Sequence, residues 1–406
     1  MHGKTLTFLL LLISIACLDL LLTHCGRSDH KQKLQKQDTV LLTKHWESPI
    51  PHQEIPEGLT SISAASCGTC HAEIYKEWQQ STHAVAFQDP QFQAELKKDN
   101  IITCLNCHTP LQNQQEFIVR GFINGDYKTP WKEVNPHFDK SLQLESITCA
   151  TCHVRDGQVI GALGSDRAPH KTLKDPGFLS EKLCLGCHNV VDEASPQLVC
   201  TFETGDEWNA NWAKREGKNC ISCHMPSTER PLFPGMSKRA GHFHHFPASG
   251  IPKFKDREAG RLESMEFTES PVHPGYSPGD LLNYQLKIKN SFAGHNVPTG
   301  DPERFFLIRY QWMDASGNIL KEEVHRIGEE WQWHPVAKKI SDNNLKPKEE
   351  RVYPFTQLLD RAGTYRFRVE VTKHRMTEEN ARYNQILGEY PLSIEVYSKQ
   401  YEIAVE

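Results

Sequence analysis

The pentapeptide C-x-x-C-H occurs five times in this chain: Cys67-Gly-Thr-Cys70-His71, Cys104-Leu-Asn-Cys107-His108, Cys149-Ala-Thr-Cys152-His153, Cys184-Leu-Gly-Cys187-His188 and Cys220-Ile-Ser-Cys223-His224. This is the pattern at which two thiols add across the two vinyl groups of one haem, and the next residue, His, lies under the iron as its proximal ligand. The two-residue gap sets the reach of the sulfurs across the macrocycle. The His follows directly, so its ring points at the face that the cysteines hold. One copy could be a redox dithiol or half a zinc site. Zinc would need the C-x-x-C pairs in twos, and it does not explain a His after every second Cys. Five copies therefore read as five covalent haems, with His71, His108, His153, His188 and His224 on the irons.

The attachment sites start 37, 45, 35 and 36 residues apart. So little polypeptide per haem cannot build an ordinary core, so the porphyrins are expected to form much of the interior of residues 61–252. Haems at that density lie within electron-tunnelling contact. His71, Ile74, Tyr75 and Trp78 fall at i, i+3, i+4 and i+7 and predict a helix. Further short helices are expected after other sites. The Pro- and Gly-rich stretches 121–135 and 157–177 read as loops held by haem contacts rather than by a sheet. The expected class is a mainly α and irregular multihaem cytochrome domain.

Ten of the thirteen cysteines belong to the motifs, leaving Cys17, Cys25 and Cys200. Cys200 reads as a small buried hydrophobe. Lys4 and the apolar run from Leu6 to Leu22 read as an export signal of residues 1–25. Cys25 after Leu22-Thr23-His24, and Cys17 after Ile15-Ala16, are imperfect lipobox candidates for a lipid anchor. Lipidation, plain cleavage and an uncleaved anchor stay open. All three place the body on the periplasmic side of a bacterial membrane, where c-type haem is attached. Residues 26–60, polar and then Pro-containing, read as a poorly ordered tether. A net charge of -5 with 24% charged residues does not point to nucleic acid. The expected partners are redox proteins, membrane or periplasmic.

After a charged connector at 253–270 the composition changes. No cysteine occurs from Pro271 onward. Alternating runs appear at 282–288, 305–312, 365–371 and 392–405, with a turn at Asp314-Ala-Ser-Gly317-Asn318. These predict strands and hairpins of an all-β sandwich-like domain over 271–406, with one short helix at 377–387.

What the haems do depends on the far side of each iron. A second His gives a six-coordinate centre suited to electron transfer, and an open position gives a catalytic one. The candidate distal ligands are His83, His170, His137, His295 and one of the cluster His242, His244, His245. His273, His325, His334 and His374 read as structural or exposed. If His295 is a ligand, the β domain is clamped onto the haem domain.

At these residues the chain resembles the cytochrome c-554 family (cytochrome c-552/4 type). The likeness runs over about residues 66–248. It is carried by Trp78-x-x-Ser81-x-His83-Ala84, Cys104-x-x-Cys107-His108-Thr109-Pro110-Leu111, Cys149-Ala-Thr-Cys152-His153-Val154-Arg155 and Ala168-Pro169-His170. It continues through Phe202-x-Thr-x-x-x-Trp208, Cys220-x-x-Cys223-His224-Met225-Pro226 and the His-Phe cluster before Pro247. The resemblance implies a periplasmic electron carrier with mainly bis-His haems, and supports His83 and His170 as distal ligands. Tetrahaem members carry one five-coordinate haem, but this chain has five sites and an added β domain, so that pattern does not transfer directly. Related nitrite and tetrathionate reductases use C-x-x-C-K, which is absent here. The balance favours an electron-transfer protein with no catalytic residue. The rival is an oxidoreductase with one open haem acting on a small nitrogen or sulfur compound, with Arg120, Tyr127 and Arg155 available for its pocket. A partner-docking role for the β domain fits either.

Overall fold

The computed structural model describes residues 48–406 except 100, 123–129, 167, 196–197 and 334. Cys17, Cys25, the export signal, most of the expected tether, Tyr127 and His334 lie outside the described residues. Among the described residues no helix is long and apolar enough to cross a membrane.

The motif-bearing region is a chain of short elements. The helices are α1 (Ala64–Gly68), α2 (Ala72–Gln80), α3 (Pro90–Asp99), α4 (Leu105–His108), α5 (Lys140–Leu144), α6 (Cys149–His153), α7 (Glu181–His188), α8 (Thr204–Asn209), α9 (Trp212–Arg215) and α10 (Cys220–His224). The helix predicted after the first motif is α2. Between these helices run β1 (Phe117–Phe122) with β2 (Pro130–Val134), and β3 (Val154–Arg155), β4 (Gln158–Gly161) and β5 (Thr172–Lys174). They are followed by β6 (Val190–Ser195) with β7 (Leu198–Phe202), and β8 (Ser227–Arg230) with β9 (Arg239–His242). The stretches read as loops at 121–135 and 157–177 thus contain strands. Their backbone groups are satisfied by local pairing, Val159 opposite Thr172 for example. The region is short helices and irregular chain with small strand pairs between them.

The described end of the expected tether is also ordered. Ile50 is buried, donates its N–H to the Pro110 carbonyl at 2.8 Å and accepts from Gln112 N at 2.8 Å. Gln53 N donates to Asn113 Oδ1 at 2.8 Å. Apolar burial here is patchy. One group is Ile50, Ile62, Leu111, Leu142, Ala150 and Val154; another is Ala64, Trp78 and Ala84. Side-chain amides bind the pieces between, as where Gln114 Nε2 donates to the carbonyls of Leu142 (2.8 Å) and Ser146 (2.6 Å).

The second region is a sandwich of two sheets. One orders β10 (Met265–Glu269), β12 (Asp280–Asn290) and β16 (Glu350–Leu359) as β10-β12-β16. The other contains β11 (Gly275–Tyr276), β13 (Phe305–Asp314), β14 (Ile319–Gln332), β15 (Lys338–Asp342), β17 (Gly363–His374) and β18 (Ser393–Val405), ordered β11-β18-β17-β13-β14-β15. Alternation decides the faces. In β12, Leu282, Tyr284, Leu286 and Ile288 are buried while the residues between them are exposed. The expected turn joins β13 to β14, where Asp314 Oδ1 accepts from Asn318 N at 2.9 Å. The expected helix is α11 (Glu378–Tyr383), capped by Thr377. Strand β10 falls inside the stretch read as a connector and pairs with β12.

The loop between β12 and β13, residues 291–304, reaches the motif-bearing region. Asn296 N and Thr299 Oγ1 both donate to Glu207 Oε2, at 3.1 and 2.7 Å. Gly294 permits the approach, because a Cβ there would sit 2.4 Å from that of Ala213.

Candidate metal centres

In C-x-x-C-H the cysteines are i and i+3 and the histidine is i+4, so one helical turn puts all three side chains on one face. Both α6 and α10 begin at the first cysteine of a motif, and α4 and α7 end at the histidine of one. In the first motif Cys67 lies on α1, and His71 N donates to the Cys67 carbonyl at 3.0 Å. Local caps fix these turns. Asn219 Oδ1 accepts from Ser222 N at 3.0 Å at the start of α10. Glu145 accepts from Ala64 N (2.6 Å), Ala65 N (3.2 Å) and Thr148 Oγ1 (2.9 Å), which ties the first motif to the third.

The ring nitrogens are sorted by hydrogen bonding. The Nδ1 atoms of His71, His108, His153 and His224 lie 3.0, 2.8, 2.9 and 2.8 Å from the carbonyls of Leu232, Ala86, Ile160 and Pro247. Those of His244 and His295 lie 3.0 and 2.8 Å from the carbonyls of His242 and Asn296, and that of His170 lies 3.2 Å from Thr172 Oγ1. A Nδ1–H held this way leaves Nε2 as the free lone pair, the arrangement of metal-ligating histidines.

Four motif histidines each face a second histidine across a nearly constant gap. The ring centroids are 6.4 Å apart for His71 and His170, 6.4 Å for His83 and His188, 6.3 Å for His153 and His244, and 6.4 Å for His224 and His295. An imidazole nitrogen lies about 1.1 Å from its ring centre and binds a first-row metal at about 2 Å, so two rings trans across one ion stand about 6.3 Å apart. The gaps fit a single iron. Burial drives His83, His108, His244 and His295 down to about 4 and His188 to about 3, and lowers His153, His170 and His224 as well. These imidazoles are therefore neutral at pH 7, as ligation requires.

The remaining distal candidates are placed elsewhere. His137 is exposed on the turn after Asn135, with its ring 4.5 Å from that of His52 rather than across a gap from a motif histidine. His242 ends β9, is exposed, and has Nδ1 2.7 Å from the Met225 carbonyl. His245 Nε2 lies 3.9 Å from Glu77. Register decides the choice within the cluster: β9 pairs His242 with Ser227, and the turn beyond it delivers His244. His108 faces no second histidine among the described residues. Its ring stacks on Phe92 at 3.6 Å with 7° between planes.

The attachment thiols also meet across motifs. Cys67 neighbours Cys149, Cys107 neighbours Cys187, and Cys184 neighbours Cys220. The first motif thus adjoins the third, and the fourth adjoins both the second and the fifth, out of sequence order. Cys200, on β7, is half-buried and close enough to Cys107 to raise its thiol pKa.

Arg155 donates to the carbonyls of Ala150 (3.3 Å), Thr151 (2.6 Å) and Val154 (2.5 Å), closing the end of α6. Arg120 pairs with Glu133 across the exposed β1–β2 hairpin. Neither is free for a pocket.

Sequence reasoning overlooked Glu77. It binds Arg230 through both oxygens and accepts from His244 N at 2.9 Å, so it holds the backbone that carries one paired histidine. Burial raises its pKa, but the Arg230 hydrogen bonds, the His244 N–H and the Arg230 and His245 charges outweigh this and hold the carboxyl below the usual range. A Glu inside the helical face of α2 carries no such signal in sequence.

Comparison with known proteins agrees with this geometry. The family described as "Cytochrome c554 and c-prime" matches residues 66–154. A "High-molecular-weight cytochrome c" of Nitratidesulfovibrio vulgaris is 29% identical over 175 residues, covering 41% of this chain and 25% of that protein. The chain thus spans about a quarter of the length of this relative. The crystal structure of a penta-heme cytochrome c552 from Thermochromatium tepidum shares the fold with TM-score 0.58 and 17% identity, over 86% of this chain and 100% of that one. With five C-x-x-C-H helices and histidines set opposite four of them, this chain is a multihaem c-type cytochrome.

Proposed function

We propose that the chain carries five covalent haems and moves electrons through them on the periplasmic side of a bacterial membrane. The observation that carries this reading is the set of four His–His gaps of 6.3–6.4 Å. Haem iron supplies the one-electron chemistry. The paired histidines would hold each iron from both sides with their spacing set by the protein, and such a centre would change charge with little rearrangement. In this reading His170, His83, His244 and His295 are the distal ligands opposite His71, His188, His153 and His224. The thiol contacts support a path from the first site to the third, and from the fourth outward to the second and fifth. The export signal and a lipid anchor at Cys25 or Cys17 remain part of the proposal, and so does a membrane or periplasmic redox partner.

A second reading has its own observation. His108 alone among the motif histidines has no histidine opposite it among the described residues. The haem held by Cys104 and Cys107 is then the open site of an oxidoreductase acting on a small nitrogen or sulfur compound.

Low-temperature EPR and visible spectra of the oxidised protein, taken before and after nitrite or cyanide, decide between the two. A pyridine haemochrome assay counts the haems alongside. Five low-spin haems indifferent to the added ligands support the carrier. A high-spin signal of one haem that shifts with ligand and disappears in a Cys104→Ala, Cys107→Ala variant supports the enzyme. Fewer than five haems per chain defeats the pentahaem reading.

A further inference from the structure

The segment His244-His245-Phe246-Pro247 lies where several of the paired histidines come together. The ring centre of Phe246 stands 4.6 Å from that of His83, with 56° between planes, and 5.9 Å from that of His244 at 89°. Both are contact distances for aromatic rings, the second edge to face. His83 faces His188, and His244 faces His153. One side chain therefore touches a member of two different pairs. The next residue reaches a third pair, because the Pro247 carbonyl lies 2.8 Å from His224 Nδ1. Phe243, in the same cluster, is used differently: its ring stacks on His245 at 5.9 Å and lies 5.3 Å from the Arg230 guanidinium.

The backbone at Phe246 is strained. Its φ is +45°, in the left-handed region that a bulky side chain rarely adopts. The proline that follows restricts it further. Such a conformation persists only where its surroundings over-determine it. Here the chain is tied on both sides. Before Phe246, His244 N donates to Glu77 Oε2 at 2.9 Å. After it, Ala248 N donates to the Gly260 carbonyl at 2.9 Å, and Leu262 N donates to the Ala248 carbonyl at 3.1 Å. Pro247 lies so close to Gly260 that a Cβ there would sit 3.0 Å from its own. What this strain accompanies is the placement of one ring between His83 and His244.

We propose that Phe246 is a positioning residue for electron transfer, setting the His83 and His244 imidazoles against one another and linking the third and fourth centres. This rests on the haem reading above and deepens it. Neighbouring thiols place the first motif beside the third, and the fourth beside the second and the fifth. Phe246 adds a contact between those two groups. The apolar surroundings of a metal site control its access to solvent and hence its potential. Loss of this ring exposes two centres to water at once, which favours the more highly charged, oxidised iron at both.

The test uses the full-length holoprotein and two variants. Phe246→Gly removes the ring without asking a side chain to hold a positive φ. Phe246→Tyr keeps the ring. Haem content is measured first, then low-temperature EPR and the midpoints by spectroelectrochemical titration. In Phe246→Gly two low-spin signals are expected to change together. Two transitions fall with them, with about a tenfold loss in the reduced-to-oxidised ratio at fixed potential, about 59 mV for one electron. The other centres hold, and Phe246→Tyr keeps the parent signals and midpoints. If Phe246→Gly assembles fewer haems than the parent, the same comparison is made with Phe246→Leu, which keeps the apolar bulk and loses the ring. A change at one centre, at none or at all of them overturns the proposal. So does an equal change in Phe246→Tyr, which would reflect packing of the loop rather than the ring. An unsubstituted protein with fewer than five haems, or without low-spin signals, defeats the haem reading instead.

Discussion

The two halves of this molecule solve the problem of an interior in opposite ways. The sandwich buries Tyr284, Tyr310, Phe306, Phe355 and Phe367 at 1% exposure or less in one continuous cluster with the aliphatic residues around them. Among the described residues the motif-bearing region has no comparable cluster: its apolar groups are the six residues around Leu111 and the three around Trp78. Its histidines are deep in the protein and yet keep accessible surface, as side chains lining clefts do. One half is held by side chains alone. The other is built to be completed by its cofactors, and buried amides and caps set the spacing that the cofactors need. The halves meet at the loop carrying His295, so the self-sufficient half contributes to the dependent one.

The largest expected effect separates them outright. With all ten motif cysteines changed to serine, residues 61–252 lose protection from amide hydrogen exchange while β12, β13, β17 and β18 keep it. Equal protection in both halves would break the comparison. Next comes Phe367→Ala, which removes a ring 4.7 Å from Phe355 and 5.1 Å from Tyr284. It is expected to cost the sandwich about 3–5 kcal/mol by denaturant titration and to leave the haem spectra unchanged. A changed low-spin signal would show that the core of the sandwich is coupled to its haem contacts.

Glu77→Ala tests the other half. It leaves the half-buried Arg230 without its carboxylate and frees the His244 backbone, at a cost of about 2 kcal/mol. Its signature is a changed low-spin signal for the His153–His244 centre. The pH dependence follows from the same pair. The folded carboxyl titrates below its unfolded value, so its stabilisation is fully present above the ordinary carboxylate range and is lost as pH falls through the folded value. The parent protein therefore loses stability on acidification that Glu77→Gln has already lost. Parallel melting curves for the two across that range would remove Glu77 from the account.

Much of this was legible beforehand, and for a local reason. The attachment motifs need only five consecutive residues and one turn of helix. The strands of the sandwich declare themselves by alternation, as in Leu282-Asn-Tyr-Gln-Leu-Lys-Ile288. A hairpin such as β1 with β2 reads as a loop in sequence because its strands are short and contain Gly121 and Pro130. Ile50 was assigned to a tether because its partners, Pro110 and Gln112, lie far along the chain.

The sequence by itself determined that five C-x-x-C-H turns are followed by a cysteine-free run of alternating strands, because both patterns repeat at the period of one secondary element. Which imidazole faces which was decided only by tertiary structure. His71 meets His170, and His224 meets His295, across gaps that no local rule sets. Two rings can share an iron only if strands, turns and caps distant in the chain hold them about 6.3 Å apart. That distance is a property of the packed whole, and it is also why His244 is chosen over His242 and His137.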